Sequence, residues 1–296
     1  MAATAKPFVK WAGGKSRILD DIRMKYPAAL GRTITKYAEP FVGGGAVLFD
    51  VLNRYALDAV YMSDINRELI TTYTAVRDNV DALISFLSAM QRDYWQSDAP
   101  ARKVYYYAKR ERFNELKAAQ SDGVEVAALF IFLNHTCFNG LYRVNAKGGY
   151  NVPMGNYRTP AICDAENLQA VSARLQRAQI VCGDYRQSRA FIDHRTFAYF
   201  DPPYRPLSQT SNFTAYANSG FGDREQIELA HFIDELSDMG AFVVASNSDP
   251  KNTNADDDFF DRLYHKHKIS RISASRTINS AAGGRGKINE LLIVSD

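Results

Sequence analysis

Cysteine is scarce: Cys137, Cys163 and Cys182 are widely spaced and odd in number, so neither a disulfide framework nor a zinc-ligand spacing can be drawn from them. They are expected to be reduced and buried, in a cytoplasmic protein. The five histidines form no ligand cluster, and His265 and His267 fall in a basic stretch that suits solvation better than metal binding; no metal is expected. Long apolar runs are missing as well, since Ala127 to Leu133 is far too short to span a bilayer, and no membrane role is expected. The N-terminus has no signal-peptide pattern, and there is no internal repeat or low-complexity segment. Neither sign of charge dominates: 36 Lys and Arg stand against 33 Asp and Glu, a net +3 that permits a nucleic-acid partner without requiring one. What is present is a chain of 296 residues, 46% hydrophobic and 12% aromatic, enough for a large core in one or two domains.

The chain is organised around FAYFDPPY, residues 197–204. The apolar, aromatic half suits a central strand. Asp201, Pro202 and Pro203 then stop it, because proline has no N–H to give a sheet ladder. The result is a stiff turn at the carboxyl end of a buried strand, where open α/β sheets place ligands. An exocyclic amine on a nucleobase is a poor nucleophile because its lone pair is conjugated into the ring. Asp201 and the Pro202 carbonyl can accept its two N–H bonds, and Tyr204 can stack on the base. A strand end with an Asx-type turn is the alternative reading of the same residues.

Residues 6–17, KPFVKWAGGKSR, combine a diglycine turn with Lys15 at the start of a helix expected from Ser16 to about Tyr26, a setting that can hold an anion. Trp11 is either core or a packing surface for a flat ligand. A strand expected over residues 34–42 leads into Gly43-Gly44-Gly45 and an apolar helix to about Tyr55, the first half of a nucleotide-binding βαβ unit. The next strand ends at Asp64, about 20 residues on, where such folds place a carboxylate on ribose hydroxyls, although a helix N-cap is equally at home there. Helices follow over about 66–95, 101–120 and 124–137. The second carries six basic residues and Tyr105 to Tyr107, which suits either a phosphate-facing surface or a solvated helix. Residues 134–158 read as a hairpin with Arg143, Asn145 and Lys147 near its tip, the side-chain types that read purine edges, unless it is an ordinary surface hairpin. From about residue 164 the α/β alternation resumes. It gives strands at 179–182, 196–203, 241–247, 268–275 and 290–294, the last two an antiparallel pair. A polar loop, RPLSQTSNFTAY, follows the turn, and a Gly-rich basic loop spans 283–287. The expected fold is α/β, a seven-stranded, mostly parallel Rossmann-like sheet with an antiparallel C-terminal hairpin and an inserted helical and hairpin region.

With these residues in place the chain closely resembles the Dam group of DNA adenine-N6 methyltransferases. KWAGGK (10–15), AEPFVGGG (38–45), Asp64, FNGLYRVNAKGGYNVPMG (138–155), GDY (183–185), DPPY (201–204) and RGKINELLI (285–293) match in order, in the alpha arrangement. The resemblance implies a catalytic domain binding S-adenosylmethionine, residues 1–68 and 160–296, and a DNA target-recognition domain, residues 69–159. It implies a cofactor site of Trp11, Lys15, Glu39, Phe41, Gly43, Gly45, Asp64, Asp184 and Asp201. The catalytic residues would be Asp201, Pro202, Pro203 and Tyr204, and the DNA contacts Arg143, Asn145 and Lys147. The implied reaction is methyl transfer to N6 of a flipped adenine in double-stranded DNA, within GATC, leaving S-adenosylhomocysteine. The enzyme would be a monomer, acting alone or beside a restriction endonuclease of the same system. Transfer to cytosine N4 or RNA adenine, and a non-catalytic DNA-binding module, are the competing functions.

Overall fold

The computed structural model describes residues 3–205, 221–275 and 287–295. The RPLSQTSNFTAY loop beyond Arg205 and the 283–287 loop up to residue 286 lie outside the described residues. In chain order the elements are α1 (Leu19–Arg23), β1 (Lys36–Glu39), α2 (Ala46–Arg54), β2 (Ala59–Asp64), α3 (Arg67–Asp78) and α4 (Val80–Gln96). Then come α5 (Ala99–Ala118), α6 (Val124–Thr136), α7 (Ala165–Leu175), β3 (Ala178–Cys182) and β4 (Thr196–Phe200). The chain finishes with α8 (Asp223–Asp238), β5 (Phe242–Ser248), α9 (Phe259–Leu263), β6 (Lys268–Ser275) and β7 (Lys287–Val294).

The sheet has seven strands in the order β3-β2-β1-β4-β5-β7-β6. β1 pairs in parallel with β2 and β4, and β4 with β5, whereas β7 runs antiparallel to both β5 and β6. The expected C-terminal antiparallel pair is present, with β7 threaded between β5 and β6. The strand order reverses between β1 and β4, the switch point at which open α/β sheets bind ligands. β4 is buried at every position, as a parallel strand covered on both faces must be. It ends at Phe200 rather than continuing to residue 203, because Pro202 and Pro203 bring no donor to the ladder.

The chain folds into two compact units, one of Met1–Gly14, Val42–Arg54 and Ser63–Gly183, the other of Lys15–Phe41, Tyr55–Met62 and Asp184–Asp296. In the first, α6 is apolar around its whole circumference and is buried from Val126 to Asn134, packed against α3, α4 and α5. In the second, Phe200 packs on Phe232 of α8 with ring centroids 6.1 Å apart, while Phe197, on the opposite face of β4, packs on Tyr26 and Tyr37, each at 5.3 Å.

Three local expectations change. The helix after the diglycine is broken into a 3₁₀ turn at Lys15–Arg17 and a separate α1, and Ile18, not Ser16, stands at the N-cap of α1. The cysteines are free, but only Cys137 is buried; Cys163 is half-buried, and Cys182, at the end of edge strand β3, is exposed. The 138–155 segment folds back on itself as a hairpin held by single bridges, Val144 to Tyr150 and Cys137 to Met154, rather than by a continuous ladder. Among the described residues no helix is long and apolar enough to cross a membrane.

Candidate active site

In the second unit, the turn after β4 is braced residue by residue. Asp201 is half-buried. Its Oδ2 lies 2.7 Å from the Lys15 ammonium, and its Oδ1 accepts a hydrogen bond from the Ser246 hydroxyl at 2.9 Å. Ser246 in turn accepts from the Tyr199 hydroxyl at 3.0 Å. The anion that Lys15 was expected to hold is therefore the Asp201 carboxylate. Burial, and then the charge of Asp201, push the Tyr199 phenol well above its ordinary range, so it stays protonated and donates.

Pro203 offers its carbonyl to the Gln226 side chain at 3.0 Å, and Gln226 is fixed from behind by Asn247 at 3.0 Å. The Tyr204 hydroxyl donates to Glu290 at 2.6 Å, and its ring lies 4.7 Å from the Lys15 ammonium. Burial and the neighbouring carboxylates of Asp201 and Glu290 hold the Tyr204 phenol protonated. Arg205 closes the turn with ion pairs to Asp223 and Asp257 at 2.6 and 2.7 Å, its guanidinium stacked over Phe259. A carboxylate and an aromatic ring are thus held at the end of a buried strand with their outer sides fixed.

Glu39, at the end of β1, is buried and accepts from the Tyr37 hydroxyl at 2.6 Å. Phe41 stacks on Tyr185 at 5.4 Å. Asp184 caps the turn at Tyr185–Ala190 through the Arg186 N–H at 2.9 Å and pairs with the Arg186 guanidinium at 3.1 Å.

The first unit holds the other group of expected cofactor residues. Asp64 ends β2; its Oδ2 accepts from the Gly43 N–H at 3.2 Å and its Oδ1 from the Asn66 N–H at 2.9 Å. The N-cap of α3 is Asn66, whose side chain accepts from the Leu69 N–H, so Asp64 is released from the alternative capping role. Burial lifts the Asp64 carboxyl above the usual Asp value, against the pull of those N–H groups. The Ile65 N–H adds a third backbone hydrogen bond to the same carboxylate. Gly43 has φ +47°, and a Cβ there would lie 2.7 Å from the Trp11 indole; Gly45 has φ +71°, and a Cβ would meet the Tyr73 hydroxyl at 2.7 Å. Only glycine lets the turn take this shape against Trp11 and Tyr73. A glycine cradle beside a carboxylate suits the ribose of a nucleoside ligand.

Also in the first unit, Arg143 lies along the hairpin with its guanidinium on Asn151, 2.7 Å from the side-chain oxygen. The Asn145 side-chain oxygen accepts from the N–H groups of Lys147 and Gly149 at 2.9 and 3.0 Å, so that oxygen shapes the turn. Lys147 is exposed at the tip. The basic residues of α5 mostly serve the fold: Arg102 binds the carbonyls of Tyr94 and Trp95, Arg110 that of Val152, Arg112 pairs with Glu125 and Lys117 with Glu68.

The model of the D12 class N6 adenine-specific DNA methyltransferases matches residues 11–278. The chain belongs to that family. It is 46% identical over 292 residues to the type II methyltransferase M.MjaIII of Methanocaldococcus jannaschii, covering 98% of this chain and 99% of that one. It is 35% identical over 292 residues to the type II methyltransferase M1.LlaDCHI of Lactococcus lactis, covering 98% and 95%, and 35% identical over 288 residues to the DNA adenine methylase of Escherichia coli K12, covering 97% and 94%. The chain is an adenine-specific DNA methyltransferase, which decides against cytosine, RNA and the non-catalytic module.

The braces of this methyltransferase's DPPY turn escaped the sequence reading. Ser246 and Asn247 had a signal: two polar residues at the carboxyl end of an otherwise apolar strand, AFVVASNS. Glu290 stood inside RGKINELLI without a role. Gln226 and Arg205 had none, because their partners are distant in sequence.

Proposed function

We propose that the methyltransferase uses S-adenosylmethionine as donor and methylates N6 of an adenine flipped out of double-stranded DNA, within GATC, as the resemblance of the 138–155 hairpin to the Dam group implies. The braced Asp201–Tyr204 turn carries this reading. Bound S-adenosylmethionine supplies an electrophilic methyl group on a sulfonium. Trp11, Gly43, Gly45 and Asp64 would hold it, Asp64 accepting from the ribose hydroxyls; the resemblance to the Dam group adds Lys15, Glu39, Phe41 and Asp184 to the cofactor residues.

The residues of the chain supply position and polarisation. Asp201 and the Pro202 carbonyl accept the two N–H bonds of the target amine and turn its nitrogen lone pair out of conjugation. Tyr204 stacks on the flipped base, offsetting part of an unstacking cost of roughly a few kcal/mol. Asp201 is then placed to accept the proton that the nitrogen sheds. Residues 69–159 carry target recognition, with Arg143 and Lys147 reaching DNA and Asn145 shaping the tip. Residues 1–68 and 160–296 carry the chemistry, in a monomer that works with DNA in the cytoplasm.

The test is methylation of a plasmid followed by single-molecule sequencing, which reads base, position and site together. N6-methyladenine confined to GATC is expected. Asp201→Asn keeps an acceptor for Lys15 while removing the charge, and is expected to abolish the product; full activity in that variant, or a methylated base other than adenine, would refute the assignment.

A further inference from the structure

Tyr142 lies on the first arm of the hairpin, next to Arg143, half-buried against partners that all belong to the first unit. Its ring is stacked with Trp11 at 5.9 Å and packs on Phe130 and Tyr150, each at 5.7 Å. Its hydroxyl donates to Glu68 Oε2 at 2.7 Å. Lys117, at the end of α5, binds Glu68 Oε1 at 2.6 Å and the Tyr142 oxygen at 3.1 Å. Glu68 is 7% exposed, and a carboxylate this buried is held hard by its donors, because losing one leaves charge without compensation. Burial and Glu68 keep the Tyr142 hydroxyl protonated, as a donor must be.

Glu68 stands in the first turn of α3, directly after Asp64 and Asn66, whose hydrogen bonds shape the ribose-facing loop. Trp11 is the residue against which Gly43 is packed. Tyr142 therefore touches Trp11 through its ring and, through its hydroxyl, the first turn of the helix that follows the Asp64 loop. Neighbouring side chains on an extended arm point to opposite sides. Arg143 accordingly faces outward, where its guanidinium rests on Asn151. Any load on Arg143 that shifts or steadies the arm is felt by Tyr142.

We infer that Tyr142 is a positioning residue that couples DNA on the hairpin to the donor cradle, through the Trp11 stack and the Glu68 hydrogen bond. The inference rests on the proposed donor and on the hairpin as the DNA contact. It means that bound DNA tightens the cradle, and by linkage that a filled cradle tightens DNA.

The test is calorimetric titration of S-adenosylhomocysteine into the full chain, alone and with a duplex carrying the target site. In the natural protein the duplex is expected to tighten binding at least fivefold. Tyr142→Phe keeps the ring stack and loses only the hydroxyl; its affinity without DNA is expected to stay within twofold and the tightening by DNA to fall below twofold. Glu68→Leu breaks the same bond from the other end and is expected to lose the coupling too, which provides a second variant should the first melt below the titration temperature. A merely structural role would lower melting temperature and leave the ratio of the two affinities alone. An unchanged ratio in either folded variant, or no tightening in the natural protein, would overturn the inference. A natural protein that binds no S-adenosylhomocysteine overturns the proposed donor instead, and active adenine methylation with unaltered coupling in the variants overturns only the role of Tyr142.

Discussion

Ser246→Ala is the substitution that isolates the brace on Asp201, the proposed catalytic carboxylate. It removes one hydroxyl from a buried strand and leaves Lys15 in place on the opposite oxygen of Asp201. A hydrogen bond to a charged group contributes about 1.5–3 kcal/mol net. If that energy serves to aim the carboxylate at the amine, its loss lowers the rate by about 10- to 150-fold, at about 1.4 kcal/mol per factor of ten. The assay is single-turnover methyl transfer at saturating DNA and donor, so that binding does not enter. Tyr199→Phe is the matched control: it removes only the outer bond of the chain, costs about 0.5–1.5 kcal/mol of stability, and leaves the Ser246–Asp201 bond intact. Its rate is expected to stay within about threefold of the natural protein, since that energy acts one bond away from the amine. A Ser246→Ala protein with the natural single-turnover rate, or one impaired only in KM for DNA, would show that Asp201 needs no aiming from β5.

Gly43→Ala puts a methyl group 2.7 Å from the Trp11 indole at φ +47°; a melting curve is expected to show about 1 kcal/mol or more of lost stability, and calorimetry a weakened donor affinity. The raised Asp64 carboxyl sets two opposite pH trends. A pKa raised in the folded state gives stability that is fully present below the unfolded value of about 4 and is lost as pH rises through the folded value, so the ligand-free protein gains from protonating Asp64. With Asp64 in its proposed role as an acceptor from the ribose hydroxyls, donor affinity is expected to fall as pH drops through the raised value; Asp64→Asn is expected to abolish that dependence, and affinity titrations from pH 8 to about pH 4 check it. Arg143→Ala is expected to cost about 1–3 kcal/mol of discrimination between the target site and a site with one altered base pair, read by competition binding; an equal loss on both duplexes would make Arg143 a phosphate contact instead.

Much of this protein could be read along the chain. The glycine turn, Asp64 and DPPY declare themselves because each depends on local backbone chemistry: a positive φ, a strand that runs out, two missing donors. The strand set and the antiparallel end follow from the alternation of apolar runs for the same reason. The matches of these motifs, in order, carried the family before the fold was known.

Other features depended on tertiary structure, and all of them are partnerships between distant residues. The choice of Ser246, Gln226 and Glu290 as braces for one turn rests on separations of 45, 23 and 86 residues, which no local pattern encodes. The basic residues of α5 look the same in sequence whether they face phosphate or cap a neighbouring helix; packing made most of them structural. Lys15 reads as an anion-binding lysine with no anion named until folding gives it Asp201, and Tyr142 as one more hairpin aromatic until its hydroxyl meets Glu68. Periodicity and backbone preference are written residue by residue, whereas the partner of a buried charge is set by which elements the sheet and helices bring side by side.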